Sequence, residues 1–63
     1  MTPAALRHAR RSLDLTQAQL AAALGRSLSI IGKWEGGKSP VPAFVPLALQ
    51  GLGWVENMEG GKK

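Results

Sequence analysis

Apolar side chains recur every three or four residues through most of the chain, a spacing that places them along one face of a helix. The pattern predicts four helices, over residues 3–13, 17–24, 28–35 and 43–52. No stretch alternates apolar and polar residues as a strand does, and no segment repeats. We therefore expect an all-α bundle of four helices, or of five if residues 54–59 form a short additional helix.

The ends of the second and third predicted helices carry specific signals. Thr16 and Gln19 are spaced as a capping box, in which each side chain binds a backbone N–H near the other residue. Gly25 follows the second helix where a left-handed backbone commonly ends a helix, and Ser27 is a suitable N-cap for the third. Residues 17–35 therefore predict a helix-turn-helix.

The third predicted helix separates its side chains into two faces. Ile30, Ile31 and Trp34 point one way, where we expect them to pack on the other helices. The residues that point the other way are Leu28, Ser29, Gly32 and Lys33. An outer face of this kind suits the major groove of DNA, which is wide enough to admit one helix.

The charge of the chain favours the same interpretation. The 63 residues carry eight Lys and Arg against four Asp and Glu, a net charge of +4, and the excess lies within residues 1–40. A basic surface is typical of nucleic-acid binding, although it can also be a solvated face. We expect one domain over residues 1–63, with residues 60–63 frayed at the end.

The composition argues against several other classes of protein. The chain has no cysteine, which excludes a disulfide or a thiolate zinc site. Its one His and four Asp and Glu are not spaced as metal ligands or a catalytic triad, so we expect no enzyme activity, metal or cofactor. It shows no signal peptide or long apolar run, and we expect no ligand domain. We therefore expect a cytoplasmic protein without a membrane or small-molecule partner.

Three segments carry a resemblance to a known family. They are Leu15-Thr16-Gln17-Ala18-Gln19-Leu20-Ala21, then Gly25, and then Trp34-Glu35-Gly36-Gly37-Lys38. With these segments in this order, the chain resembles the repressor and Cro DNA-binding domains of lambdoid phages, within the xenobiotic-response-element-type helix-turn-helix group. The resemblance covers residues 6–53 and implies a dimer that binds a palindromic operator. The proline-rich stretch over residues 40–42 and the apolar helix after it also resemble small phage regulators of anti-CRISPR operons.

The resemblance also implies a contact role for particular positions. The residues expected to read base edges are Ser27, Leu28, Ser29, Gly32 and Lys33. The residues expected to contact phosphates are Arg10, Thr16, Gln17, Arg26, Gly37, Lys38 and Ser39. An ion pair is expected between Arg10 and Glu35. The expected dimer contacts are Leu52, Trp54, Val55 and Met58, although Trp54 and Val55 can equally belong to the edge of the domain's own core.

The chemistry of the base-reading residues differs from one position to the next. Lys33 can donate to guanine, Ser29 can donate or accept, and Leu28 can only offer an apolar contact, for which a thymine methyl is the best partner. The first hypothesis is therefore a dimeric repressor, of phage or mobile-element origin, that inserts residues 28–35 into the major groove of double-stranded DNA. The alternative is an antitoxin or other protein-interaction module that uses the apolar segment over residues 54–58.

Overall fold

The computed structural model describes residues 1–55, and this part of the chain contains four helices and no strand. The helices are α1 (Pro3–Ser12), α2 (Gln17–Leu24), α3 (Leu28–Glu35) and α4 (Phe44–Gly51). The predicted all-α fold is confirmed, with α2 and α3 at the predicted bounds. Residues 54–59, for which a fifth helix was left open, fall largely outside the described residues, and the tail over residues 60–63 lies wholly outside them. None of the four helices has the length and apolar character that crossing a membrane requires.

Local hydrogen bonds explain why α2 and α3 begin and end where they do. The Thr16 hydroxyl accepts the Gln19 N–H at 3.1 Å, and the Gln19 side-chain oxygen accepts the Thr16 N–H at 2.9 Å, which completes the capping box. Gly25 ends α2 with a φ of 67°, in the left-handed region that glycine adopts at little cost. Ser27 then caps α3 by accepting the Ile30 N–H at 3.2 Å. The helix-turn-helix is therefore specified by short-range contacts.

Helix α4 is shorter than predicted at both ends. It begins at Phe44, and Ala43, which precedes it, offers no side chain to cap the first N–H groups. Pro46 occupies the third helical position, where a missing N–H costs little because the first turn has no partners for those groups. At the other end the Leu52 N–H still bonds the Ala48 carbonyl at 3.2 Å, but the helix itself stops at Gly51.

Each helix contributes two residues to one buried core. α3 packs against both α1 and α2, and α4 packs on α1. The buried apolar residues are Leu6, Ala9, Leu20, Ala21, Ile31, Trp34, Val45 and Leu49. The Trp34 indole also meets the Phe44 ring edge to face, with 6.2 Å between ring centroids. Of the inner face predicted for α3, Ile31 and Trp34 are therefore buried and Ile30 packs partly buried against the core, while the opposite side of α3 remains available.

Candidate nucleic-acid interface

The outer face of α3 is open to solvent. Leu28, Ser29 and Lys33 are exposed, and Gly32 is half-buried between them. Leu28 keeps 53% of its surface accessible, so its apolar side chain is available to a ligand. The fold thus presents four of the five residues expected to read bases on one face of a single helix.

Ser27, the fifth of these residues, lies at the N-terminus of the same helix. It is exposed, and its oxygen accepts the Ile30 N–H. A hydroxyl also carries one proton that it can donate, so capping leaves Ser27 able to bond an external acceptor. The N-terminus of α3 adds backbone N–H groups without partners in the helix, and these groups favour a negatively charged ligand.

The glycine in the middle of α3 is not required by the packing of the chain itself. A Cβ placed on Gly32 would meet no heavy atom within 4 Å. Its backbone is not in the left-handed region, so an L side chain is conformationally acceptable there. The absence of a side chain therefore leaves an open space on the outer face of the helix.

The loop that follows α3 carries Lys38, a second exposed cation in addition to Lys33 on the helix. The N–H groups of Lys38 and Ser39 both bond the Lys33 carbonyl, at 2.9 and 3.3 Å, and Gly37 makes this turn possible with a φ of 77°. Lys38 is exposed and Ser39 is half-buried. Over residues 1–55 neither lysine ammonium group takes part in a hydrogen bond or an ion pair within the chain. Both charges are thus available to a ligand at the C-terminal end of α3.

A buried acidic residue connects three helices behind this face. The Glu35 carboxylate, 3% exposed, accepts the Arg10 Nε–H at 2.7 Å and an Arg10 Nη2–H at 3.0 Å. It also accepts a hydrogen from the Gln17 side-chain amide at 3.1 Å. The ion pair that the resemblance implied is therefore present, and Gln17 of α2 belongs to it as well.

This network limits what Arg10 and Gln17 can offer to a phosphate. Arg10 also donates Nη1–H to the Leu15 carbonyl at 3.0 Å, and only 13% of its side chain is accessible. Its guanidinium is thus turned inward. Gln17 retains one amide hydrogen and its backbone N–H at the start of α2, beside the exposed Thr16. Between Arg10 and Gln17, two of the seven predicted phosphate contacts, the structure leaves Gln17 the more available.

Both members of the ion pair are charged at neutral pH. Burial alone would raise the pKa of Glu35, but hydrogen bonds from Arg10 and Gln17 outweigh burial and hold this pKa below its ordinary value. The hydrogen bond to Glu35 raises the pKa of Arg10. The network therefore fixes α1, α2 and α3 relative to one another through charge-assisted hydrogen bonds.

Arg7 and Arg26 make contacts within the fold that the sequence did not predict. Arg7 donates Nη1–H to the Glu35 carbonyl at 2.8 Å, a favourable position for a cation because it lies at the C-terminus of a helix. The Arg26 guanidinium lies 4.9 Å from the centroid of the Phe44 ring and bonds the Gly25 carbonyl at 3.2 Å. Arg26 is still exposed, so this stacked position leaves one face of it toward solvent.

The C-terminal part of the described chain carries three exposed large apolar side chains. Leu52 and Val55 are exposed, the latter by 80%, and Leu47, which was not predicted to belong here, is 69% exposed. Trp54 instead packs partly buried against the core, and its backbone N–H donates to the Leu49 carbonyl at 3.0 Å. Met58 lies outside the described residues. We call these three side chains, Leu47 on α4 and Leu52 and Val55 after its end, the α4 surface.

Two helices joined by a tight glycine turn, with the second helix open on its outer face, define a helix-turn-helix DNA-binding domain. The chain matches the family described as the helix-turn-helix domain over residues 4–59, and it belongs to that family. No curated protein and no solved structure gives a significant match to the chain. Within the described residues, no group of three His, Cys, Asp or Glu side chains lies close enough together to hold a metal ion.

Proposed function

We propose that the protein is a sequence-specific transcriptional regulator that acts as a homodimeric repressor on a palindromic operator in double-stranded DNA. The observation that carries this proposal is the open outer face of α3, which has Lys33 on it and Lys38 directly beyond it, both without partners among the described residues. Base reading in the major groove requires a helix face that is open and carries polar, apolar and basic groups, as the outer face of α3 does. A basic face that is only solvated has no such requirement.

The exposed side chains divide into two kinds of contact. Lys33, Ser29 and Ser27 are assigned to base edges in this proposal, with the Lys33 ammonium best suited to guanine O6 or N7. Lys38 lies on the loop, where it suits a phosphate, and the start of α2 at Gln17 supplies backbone N–H groups for another. Phosphate contacts position the domain, and the α3 contacts supply the sequence preference.

The homodimer is supported by the α4 surface. Its residues Leu47, Leu52 and Val55 are exposed and apolar, and residues 41–55 contain no charged side chain. Two copies of a chain with net charge +4 repel each other least where they meet through a neutral region. A dimer of this class reads half-sites about 34 Å apart, one turn of DNA. We place its action in the cytoplasm, on the nucleoid of a bacterial or phage-infected cell.

The origin of the regulator forms part of the same proposal. The order of residues in α2, the turn and α3 supports a repressor or Cro type of regulator from a phage or mobile element. The proline-rich loop before α4 supports a role on an anti-CRISPR operon. Footprinting on such an operon, with an unrelated phage promoter as the control, tests this assignment, and equal protection of the two sequences contradicts it.

The function is tested by selecting bound duplexes from a random library and then titrating the selected site with two variants. Lys33→Ala should weaken specific binding by about 1–3 kcal/mol and relax one base position. Lys38→Ala should weaken all site variants equally and lower the slope of log K against log salt by about one. Arg11→Ala is the matched control, because it removes the same charge from an exposed position outside the proposed contacts.

Two results contradict the proposal. A library that yields no consensus at moderate salt means that the domain does not read sequence, and the α4 surface then favours the protein-interaction alternative, an antitoxin or similar module. Identical profiles for Lys33→Ala and Lys38→Ala across site variants mean that the division into base and phosphate contacts is wrong. Sedimentation of the free protein and of its complex gives the stoichiometry independently.

A further inference from the structure

The open face of α3 consists of two parallel rows with different chemistry. Residues four apart on a helix lie one above the other, so Ser29 and Lys33 form one row and Leu28 and Gly32 form the next. The first row carries a hydroxyl and an ammonium group. The second row has no polar side-chain atom, and it combines an exposed apolar side chain with an open space.

Folding alone does not explain the second row. A glycine inside a helix costs about 1 kcal/mol relative to alanine, and at position 32 alanine would contact nothing in the chain. Leu28 stands beside it with 53% of its surface in solvent and outside the core cluster, so its side chain is available to a ligand. Both features gain a reason if a ligand presents a small apolar group to this position.

The major groove of DNA offers one small apolar group. Each base pair displays hydrogen-bond donors and acceptors there, and the C5 methyl of thymine is the apolar feature among them. We infer that Leu28 and Gly32 form a methyl-reading step, in which the Leu28 side chain contacts a pyrimidine C5 methyl and the space over Gly32 lets the groove edge approach the helix. This inference rests on the proposed function and adds to it the group that is read.

A step that reads the methyl group itself has a consequence beyond a preference for thymine. Uracil has the same hydrogen-bonding groups as thymine but lacks the methyl, so it should be discriminated against. Cytosine that carries a C5 methyl should bind better than cytosine at the same position. The regulator is thus expected to respond to 5-methylcytosine in its operator.

The experiment uses the full chain and the duplex selected from the random library. Each thymine of the half-site is replaced in turn by uracil, and affinity is measured by fluorescence anisotropy. At one position we expect a loss of about fourfold per half-site, the effect of leaving one methyl-sized group without its apolar contact. At that same position a cytosine duplex should gain about the same factor on C5 methylation.

Protein variants identify the residue that reads the methyl group. Leu28→Ala should abolish both the thymine-to-uracil ratio and the gain on methylation, while the base preference assigned to Lys33 remains. Ser29→Ala is the matched control on the polar row, and it should leave the thymine-to-uracil ratio unchanged. Both substitutions are at exposed positions, and a thermal melt of each variant verifies that it is folded.

The outcomes separate this inference from the proposed function. The methyl-reading step is overturned if replacing every thymine of the consensus site by uracil does not change affinity, or if the consensus contains no thymine. Either result leaves sequence-specific binding intact. A thymine-to-uracil ratio that survives Leu28→Ala overturns it as well. Failure to obtain any consensus instead contradicts the proposed function itself.

Discussion

Replacing Gly32 by alanine should change the stability of the free protein and of its DNA complex in opposite directions. In the free protein the added methyl group meets no atom within 4 Å, so there is no steric cost. Alanine is about 1 kcal/mol better than glycine inside a helix. We expect a gain of about 0.5–1 kcal/mol in the free energy of unfolding, and for a domain of this size about 4–8 °C in Tm per kcal/mol.

In the complex the same methyl group occupies the space that faces the groove. Inserting a methyl group into a closely packed contact typically costs about 1–3 kcal/mol. Specific affinity should therefore fall by about tenfold per half-site, although no charge or hydrogen-bonding group has been removed. A variant that is more stable and binds more weakly is difficult to explain by partial unfolding.

Two measurements on each protein are sufficient. Equilibrium denaturation in urea gives stability, and anisotropy titration of a duplex with one half-site gives affinity without a contribution from self-association. Gly51→Ala is the matched control, because Gly51 is the last residue of α4 and a Cβ there also meets nothing within 4 Å. It should leave half-site affinity unchanged.

The expected gain in stability and the expected loss of affinity can each be contradicted separately. If Gly32→Ala binds the half-site as tightly as the unmodified protein, the space over Gly32 does not face DNA. If the substitution lowers the free energy of unfolding, the glycine serves the fold of α3 and its presence needs no ligand. If Gly32→Ala is more stable and binds the half-site more weakly, contact with DNA is the reason for glycine at this position.

The parts of the fold that the sequence predicted well are those that depend on neighbours in the chain. The bounds of α2 and α3 are fixed by Thr16, Gln19, Gly25 and Ser27, whose partners lie within five residues of them. Such signals act before any tertiary contact forms. The start of α4 was less predictable because Ala43 provides no cap, so its boundary depends on packing.

Contacts between distant residues could not be obtained from spacing alone. The bond from Arg7 to the Glu35 carbonyl joins positions 28 residues apart, and the stacking of Arg26 on Phe44 depends on how α4 crosses the turn. The Arg10 ion pair with Glu35 was expected only because of the family resemblance. The spacing of Arg7 and Arg10, one turn apart on α1, was the available signal that both side chains approach the same helix end.

Three further perturbations test how the fold supports the interface. Gly25→Ala should lower the free energy of unfolding in urea by about 1 kcal/mol, because an L side chain is strained at a φ of 67° even where it has room; an unchanged midpoint would show that the turn can relax. In a double-mutant cycle, Phe44→Leu and Arg26→Ala should be coupled by about 0.5–1 kcal/mol through the lost cation–π contact, and strict additivity contradicts that contact. Glu35→Gln should destabilise the protein by about 2–3 kcal/mol at pH 7, because it leaves the partly buried Arg10 guanidinium without its anion. The effect should depend on pH: the folded protein holds the pKa of Glu35 below its unfolded value, so the unfolded chain takes up the proton first as pH falls. The stabilisation by Glu35 is thus complete above its unfolded pKa of about 4.3 and is lost as the pH falls through its lower pKa in the folded protein. The difference in free energy of unfolding between the two proteins should therefore shrink when denaturation is repeated from pH 7 to pH 3. A constant difference across that range would mean that the carboxylate charge does not contribute to holding α1, α2 and α3 together.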